Sequence, residues 1–137
     1  AAWKEPQDVI EIDAGAATTG GADMFNGLSL SVAGLHIEVR HAPGHTEGSV
    51  LFSLDGVPDI SGSQAPLQRT MLSGDVLFAG SIGRCDLPGG DAAAMTRSLR
   101  DVVLPLADST LVLPGHGPAT TIAAERANNP YLRQLLV

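Results

Sequence analysis

The tripeptide Pro-Gly-His occurs twice, at Pro43-Gly44-His45 and at Pro114-Gly115-His116, and each copy closes an apolar run that reads as a β-strand. The runs are Leu35 to Arg40 and Thr110 to Leu113. Proline cannot continue a strand's hydrogen-bond ladder, and glycine permits tight turns. The chain therefore bends at both places and can aim the next side chain into a cleft. A third strand end, Met71-Leu72-Ser73-Gly74-Asp75, lies between them. Two imidazoles and one carboxylate thus follow three strands, and these are groups that bind zinc, iron or manganese. They lie too far apart in sequence for a local zinc knuckle, so the fold has to assemble the site. Sites built this way are typical of catalytic metals, which keep a position open for water.

Hydropathy patterning supplies the frame for these turns. Leu28, Leu30 and Val32 alternate with Ser29 and Ser31, Ala33-Gly34 turns the chain, and Leu35, Ile37 and Val39 alternate with His36, Glu38 and Arg40. This predicts a hairpin with one apolar face. Gly48 to Leu54 reads as a third strand, residues 57–69 as an irregular loop, and Thr70 to Ser73 as a short buried strand, with Val76-Leu77-Phe78 extending the apolar contact. Asp91 caps a helix in which Met95, Leu99, Val102 and Val103 recur at helical spacing until Pro105 stops it. After the strand at Thr110 to Leu113, Thr120 or Thr121 caps a helix through Asn128, and Pro130 to Leu136 adds a last turn or two. Residues 1–27 are rich in small side chains and read as loop, with a short helical turn near Met24-Phe25. Strands followed by helix, strand and helix suit an α/β (α+β) sheet with helices on one outer face.

Composition narrows the function. With 137 residues, 44% of them hydrophobic, the chain suits one packed domain. Its formal charge of −7 argues against nucleic acid, which needs a basic face. No apolar run is long enough for a membrane span, and the N-terminus lacks a secretory pattern. Cys85 is the only cysteine, so no internal disulfide forms, and a cytoplasmic location is expected.

The remaining candidates divide by context. His36 lies on the polar face of its strand and reads as solvated. His41 is four residues before His45, but on strand and turn rather than helix, and stays outside the ligand set. Cys85, with no activating partner in sequence, reads as a small buried loop residue. Arg84 and Asp86 pair to hold the Gly80–Asp86 loop, as a surface ion pair or as a brace behind the ligands. The glycine-rich pieces match no phosphate-binding pattern.

Four segments together resemble the metallo-β-lactamase-fold hydrolases, and within them the glyoxalase II-like branch. They are His41-Ala-Pro-Gly-His45-Thr-Glu-Gly-Ser49, Ser73-Gly-Asp75, Phe78 through Asp91, and Leu113 through Ile122; the tail Glu125-Arg-Ala-Asn-Asn-Pro-Tyr-Leu132 is similar too. The resemblance implies an αββα sandwich with a two-metal site, holding Zn with Fe or Mn as alternatives. It implies His45 on the first metal, Asp75 bridging as the catalytic carboxylate, His116 on the second metal, and Arg84 and Asp86 bracing the site. The implied reaction is hydrolysis of a small-thiol thioester such as S-lactoylglutathione by a metal-bound hydroxide. The short stretch after Tyr131 puts glutathione as the carrier in doubt. The family's H-x-H-x-D-H motif does not occur in the chain. Residues 1–137 are therefore expected to form a single partial domain, the C-terminal portion of the sandwich. Alone, that portion is expected to be inactive and to bind metal weakly, and to need an N-terminal segment or a second copy of itself over its sheet. Two other readings stand beside this one: an iron persulfide dioxygenase, and an inactive fragment that acts only in dimerisation.

Overall fold

In the computed structural model, residues 28–58 and 66–136 are described. The readings for residues 1–27 lie outside them. Six strands form one mixed sheet in the order β1-β2-β3-β4-β7-β8: β1 (Leu28–Val32), β2 (Leu35–His41), β3 (Val50–Asp55), β4 (Arg69–Gly74), β7 (Thr110–Pro114) and β8 (Thr120–Thr121). Between β4 and β7 the chain makes a small hairpin, β5 (Leu77–Phe78) and β6 (Ser81–Ile82). Helix α1 (Ala92–Ser98) and a π-helical segment (Leu99–Val103) follow it; α2 (Ile122–Asn128) and α3 (Pro130–Arg133) close the described chain. No helix among the described residues is long and apolar enough to cross a membrane.

Strand direction decides where the site can form. β2 pairs antiparallel with β3, β3 antiparallel with β4, and β4 parallel with β7. So β2, β4 and β7 run the same way, and their C-terminal ends share one edge of the sheet. His45, Asp75 and His116 each follow one of those ends.

The two faces differ. Leu51, Met71 and Val112 pack under Met95, Leu99, Val102, Val103, Ile122 and Leu132 in one buried cluster. The expected helical layer on one face is therefore present. Cross-strand registration puts Leu28, Val39, Phe52, Leu72 and Leu113 in one row on the opposite face, and Leu30, Ile37, Leu54, Thr70 and Leu111 in the next. No described helix belongs to a core on that face, where Val39, Thr70 and Leu111 are buried, Leu72 is 40% exposed and the others are half-buried.

Three boundaries differ from the pattern reading. β3 begins at Val50 rather than Gly48, because the Ser49 carbonyl accepts from Ala42 N–H and closes the 42–49 loop. The helix after Asp91 is capped as expected, Asp91 Oδ1 accepting from Ala94 N–H at 3.1 Å, but it widens after Ser98. Leu104 N–H reaches back five residues to the Leu99 carbonyl at 2.9 Å. Val102 and Val103 on this wider turn are both fully buried. Val76 and Leu77 extend the apolar contact as expected, both buried in the core cluster, but the pattern did not mark the β5–β6 hairpin that Leu77 and Phe78 open.

Candidate metal centre

Each candidate ligand is held from behind by its own loop. After β2 the chain turns through Gly44, whose φ is 146°, and a Cβ there would lie 2.5 Å from Met95 Cβ. Only glycine lets α1 come this close. Ser98 Oγ donates to the Pro43 carbonyl at 2.7 Å, and Asp91 N–H to the Gly44 carbonyl at 2.8 Å, so α1 clamps the turn that presents His45. After β4 and β7 the loops are joined by Gly115 N–H donating to the Gly74 carbonyl at 2.8 Å. That bond sets His116 beside Asp75.

Asp75 stands between the two imidazoles. Its Oδ2 is 3.5 Å from His45 Nε2 and its Oδ1 is 3.2 Å from His116 Nδ1. One carboxylate oxygen faces each histidine. The three groups therefore flank two positions rather than one, and among the described residues no three such side chains close around a single ion. His45 Nδ1 lies 2.8 Å from the Arg84 carbonyl. A carbonyl only accepts, so Nδ1 carries a hydrogen and Nε2 is the nitrogen that faces Asp75. In the neutral ring this is the tautomer a metal-binding histidine needs, and the bond to a backbone carbonyl is its usual support. The donor set and the tautomer both fit a divalent metal.

The cleft around these groups has a volume of about 430 Å³ and is also lined by Phe78, Ile82 and Pro118. The Phe78 and His116 rings are 4.5 Å apart and tilted by 37°. Exposure rises across the site, from 23% for the His45 side chain to 44% for Asp75 and 74% for His116.

The other candidates are now placed. Arg84 and Asp86 pair through two bonds of 2.8 Å, but in the open, and it is the Arg84 carbonyl rather than its guanidinium that touches a candidate ligand. Their hydrogen bonds hold the Asp86 carboxyl at about 2 and raise the Arg84 guanidinium. Cys85 is half-buried, and burial, reinforced by Asp86 and Asp91, pushes its thiol up, which suits an inert residue. His36 is exposed, as expected. His41 Nε2 lies 2.6 Å from the Glu47 carbonyl, which ties it to its own loop. The pattern reading did not single out Phe78 or the buried Glu125; Phe78 belongs to an unforeseen hairpin, and Glu125 had only the similar tail as a signal.

No protein-family profile matches the chain. Curated relatives do. The hydroxyacylglutathione hydrolase GloC of Haemophilus influenzae is 38% identical over 106 residues, covering 77% of this chain and 45% of its own length. Among solved structures, the BLEG-1 B3 metallo-β-lactamase superimposes with a TM-score of 0.63 at 41% identity, over 76% of this chain and 44% of its own. TTHA1623, solved in a di-iron-bound form, gives 0.55 at 45% identity, over 70% and 42%. The chain spans about half the length of the curated relatives it matches.

Proposed function

We propose, from the premise that this chain belongs to the metallo-β-lactamase-fold proteins, that it supplies the C-terminal half of a metal-dependent thioester hydrolase of the glyoxalase II type. The observation that carries this reading is Asp75, with one oxygen toward His45 and the other toward His116. In it His45, Asp75 and His116 would hold the metal, zinc by preference, with iron or manganese as alternatives. An ion bound there supplies Lewis acidity toward a carbonyl oxygen and acidifies water.

The chain's own residues do the positioning. The Arg84 carbonyl fixes the His45 tautomer, and the 42–49 loop clamped by α1 fixes its place. Phe78 and Ile82 give the cleft an apolar wall for an acyl group, and the exposed His116 side leaves room for a small thiol carrier. The name of the Haemophilus influenzae relative supports a 2-hydroxyacyl thioester of glutathione as the substrate to try first. The sheet face on which no described helix packs, with Leu72 exposed, is the surface that an N-terminal segment, or a second copy, covers in the working protein. The chain by itself leaves both ions short of ligands and is inactive.

The test joins this chain to a segment carrying H-x-H-x-D-H, loads it with Zn²⁺, and follows hydrolysis of S-lactoylglutathione. The expected result is turnover by the joined protein and none by this chain alone. Failure with this and other small-thiol thioesters sinks the reading. A second reading, persulfide oxygenation at one iron, draws on the donor set of two histidines and one carboxylate. Oxygen consumption with an iron-loaded protein and a persulfide substrate would select it.

A further inference from the structure

Glu125 lies on α2, is 4% exposed, and has no cation beside it among the described residues. Burying a carboxylate is costly unless its oxygens are hydrogen-bonded. Here three donors meet them. Gly80 N–H at 2.7 Å and Asn129 Nδ2 at 3.0 Å donate to Oε1, and Thr120 Oγ1 donates to Oε2 at 2.6 Å. Asn129 is fully buried and every polar atom of its side chain is used. Nδ2 also donates to the Ser81 carbonyl at 3.0 Å, and Oδ1 accepts from Tyr131 N–H at the start of α3.

What the network joins gives its purpose. Gly80 and Ser81 belong to the β5–β6 hairpin, which carries Phe78. Thr120 opens β8, on the segment that follows His116. Those two segments meet in the cleft through the 4.5 Å ring contact of Phe78 with His116. Apart from that contact, His116 has only its 3.2 Å approach to Asp75, and its side chain is largely exposed. We infer that Glu125, seated by Asn129, is a positioning residue: it fastens the Phe78 hairpin to the His116 segment and so sets where the His116 imidazole stands beside Asp75. The ion-binding part of the test rests on the proposed metal site; the inference about His116 does not.

The experiment uses the full chain and three variants. Thr120→Val deletes one donor and keeps the side chain's shape. Glu125→Ala removes the network. Glu125→Gln keeps an acceptor for Gly80 and Asn129 and turns its amide toward Thr120, whose hydroxyl can accept. The first readout is the ring-current shift that Phe78 imposes on the His116 ring protons in NMR spectra of the metal-free chain. The second is the affinity for Zn²⁺ alone, measured by chelator competition. The inference expects Thr120→Val and Glu125→Ala to lose the His116 shift, to leave the His45 ring resonances in place, and to bind Zn²⁺ about tenfold more weakly. Glu125→Gln is expected to restore both. If Thr120→Val melts at a lower temperature but keeps the His116 shift and the Zn²⁺ affinity, Glu125 is a core fastener and the inference is overturned. If Glu125→Ala does not fold, Thr120→Val decides. If the unmodified chain binds no Zn²⁺, the metal reading suffers, and the His116 shift alone decides the positioning role.

Discussion

Gly83 packs behind the candidate ligands with no room for a side chain, and replacing it with alanine tests that packing. An added Cβ would run into the Asp75 carbonyl oxygen and come within 3.1 Å of His45 Cβ. The Asp75 carbonyl is backbone, pinned by the neighbouring bond from Gly115 N–H to Gly74 O, so it cannot swing aside as a side chain could. Overpacking against a well-packed core typically costs about 1–3 kcal/mol. If the loop moves instead, the 3.1 Å bond from Gly83 N–H to the Val76 carbonyl is lost, about 1 kcal/mol more. The expected total is about 2–4 kcal/mol, a large share of the roughly 5–15 kcal/mol a domain has. Gly80→Ala is the control. Gly80 has a φ of 76°, but nothing lies within 4 Å of its added Cβ, so backbone strain of about 1–2 kcal/mol is all it costs. Urea unfolding followed by circular dichroism, at one fixed chain concentration, measures both. An unchanged slope with a lower midpoint is the expected form of the result. The close packing of the 83 loop on Asp75 would be refuted if Gly83→Ala unfolded at the unmodified midpoint while Gly80→Ala did not.

Three further outcomes are expected. Asp75→Asn keeps the size of the side chain but removes the charge shared between His45 and His116, and Zn²⁺ binding is expected to weaken at least about a hundredfold by chelator competition. Leu72→Arg puts a charge at the exposed point of the sheet face on which no described helix packs, and sedimentation is expected to show loss of association with a covering segment or second copy while circular dichroism keeps the sheet. The Asp86 carboxyl, held at about 2 by Arg84, is lower folded than unfolded, so its contribution is present above the ordinary carboxylate range and is lost as pH falls through about 2. An NMR titration of Asp86 should return to the ordinary range in Arg84→Ala, whereas the urea midpoint of that variant should nearly match the unmodified chain at neutral pH because the pair is exposed and adds little to stability.

The turns were legible because they rest on local chemistry. Pro43-Gly44 and Pro114-Gly115 have to bend the chain, and alternation fixed which face of β2 is apolar. The helix caps at Asp91 and Thr121 were legible for the same reason, since a side-chain oxygen there satisfies a first-turn N–H. Strand order was not legible, because pairing β4 with β7 across the hairpin and α1 depends on packing that no short window contains. The contact of Phe78 with His116 was hidden for the same reason. Glu125 shows the limit most clearly. In a window of sequence it is a helix glutamate like any other, and only the fold reveals three donors from three segments meeting it.

The direction of the strands explains why this half of a sandwich can hold a bridging carboxylate and yet not a closed site. β4 and β7 are parallel neighbours, so Asp75 and His116 end side by side, whereas His45 comes from β2, one strand beyond the intervening β3. The middle strand end therefore has an imidazole on either flank, and a carboxylate is the side chain that can offer an oxygen to each. Every other strand of the described sheet either runs the opposite way or lies at its far margin. On the proposed reading, the segment that covers the sheet also completes the ions' ligands, and an ion that binds the covered form more tightly stabilises the covering by mass action, by at most about 2.7 kcal/mol at a hundred times its Kd. On that reasoning the ion belongs to the fold as much as to the reaction.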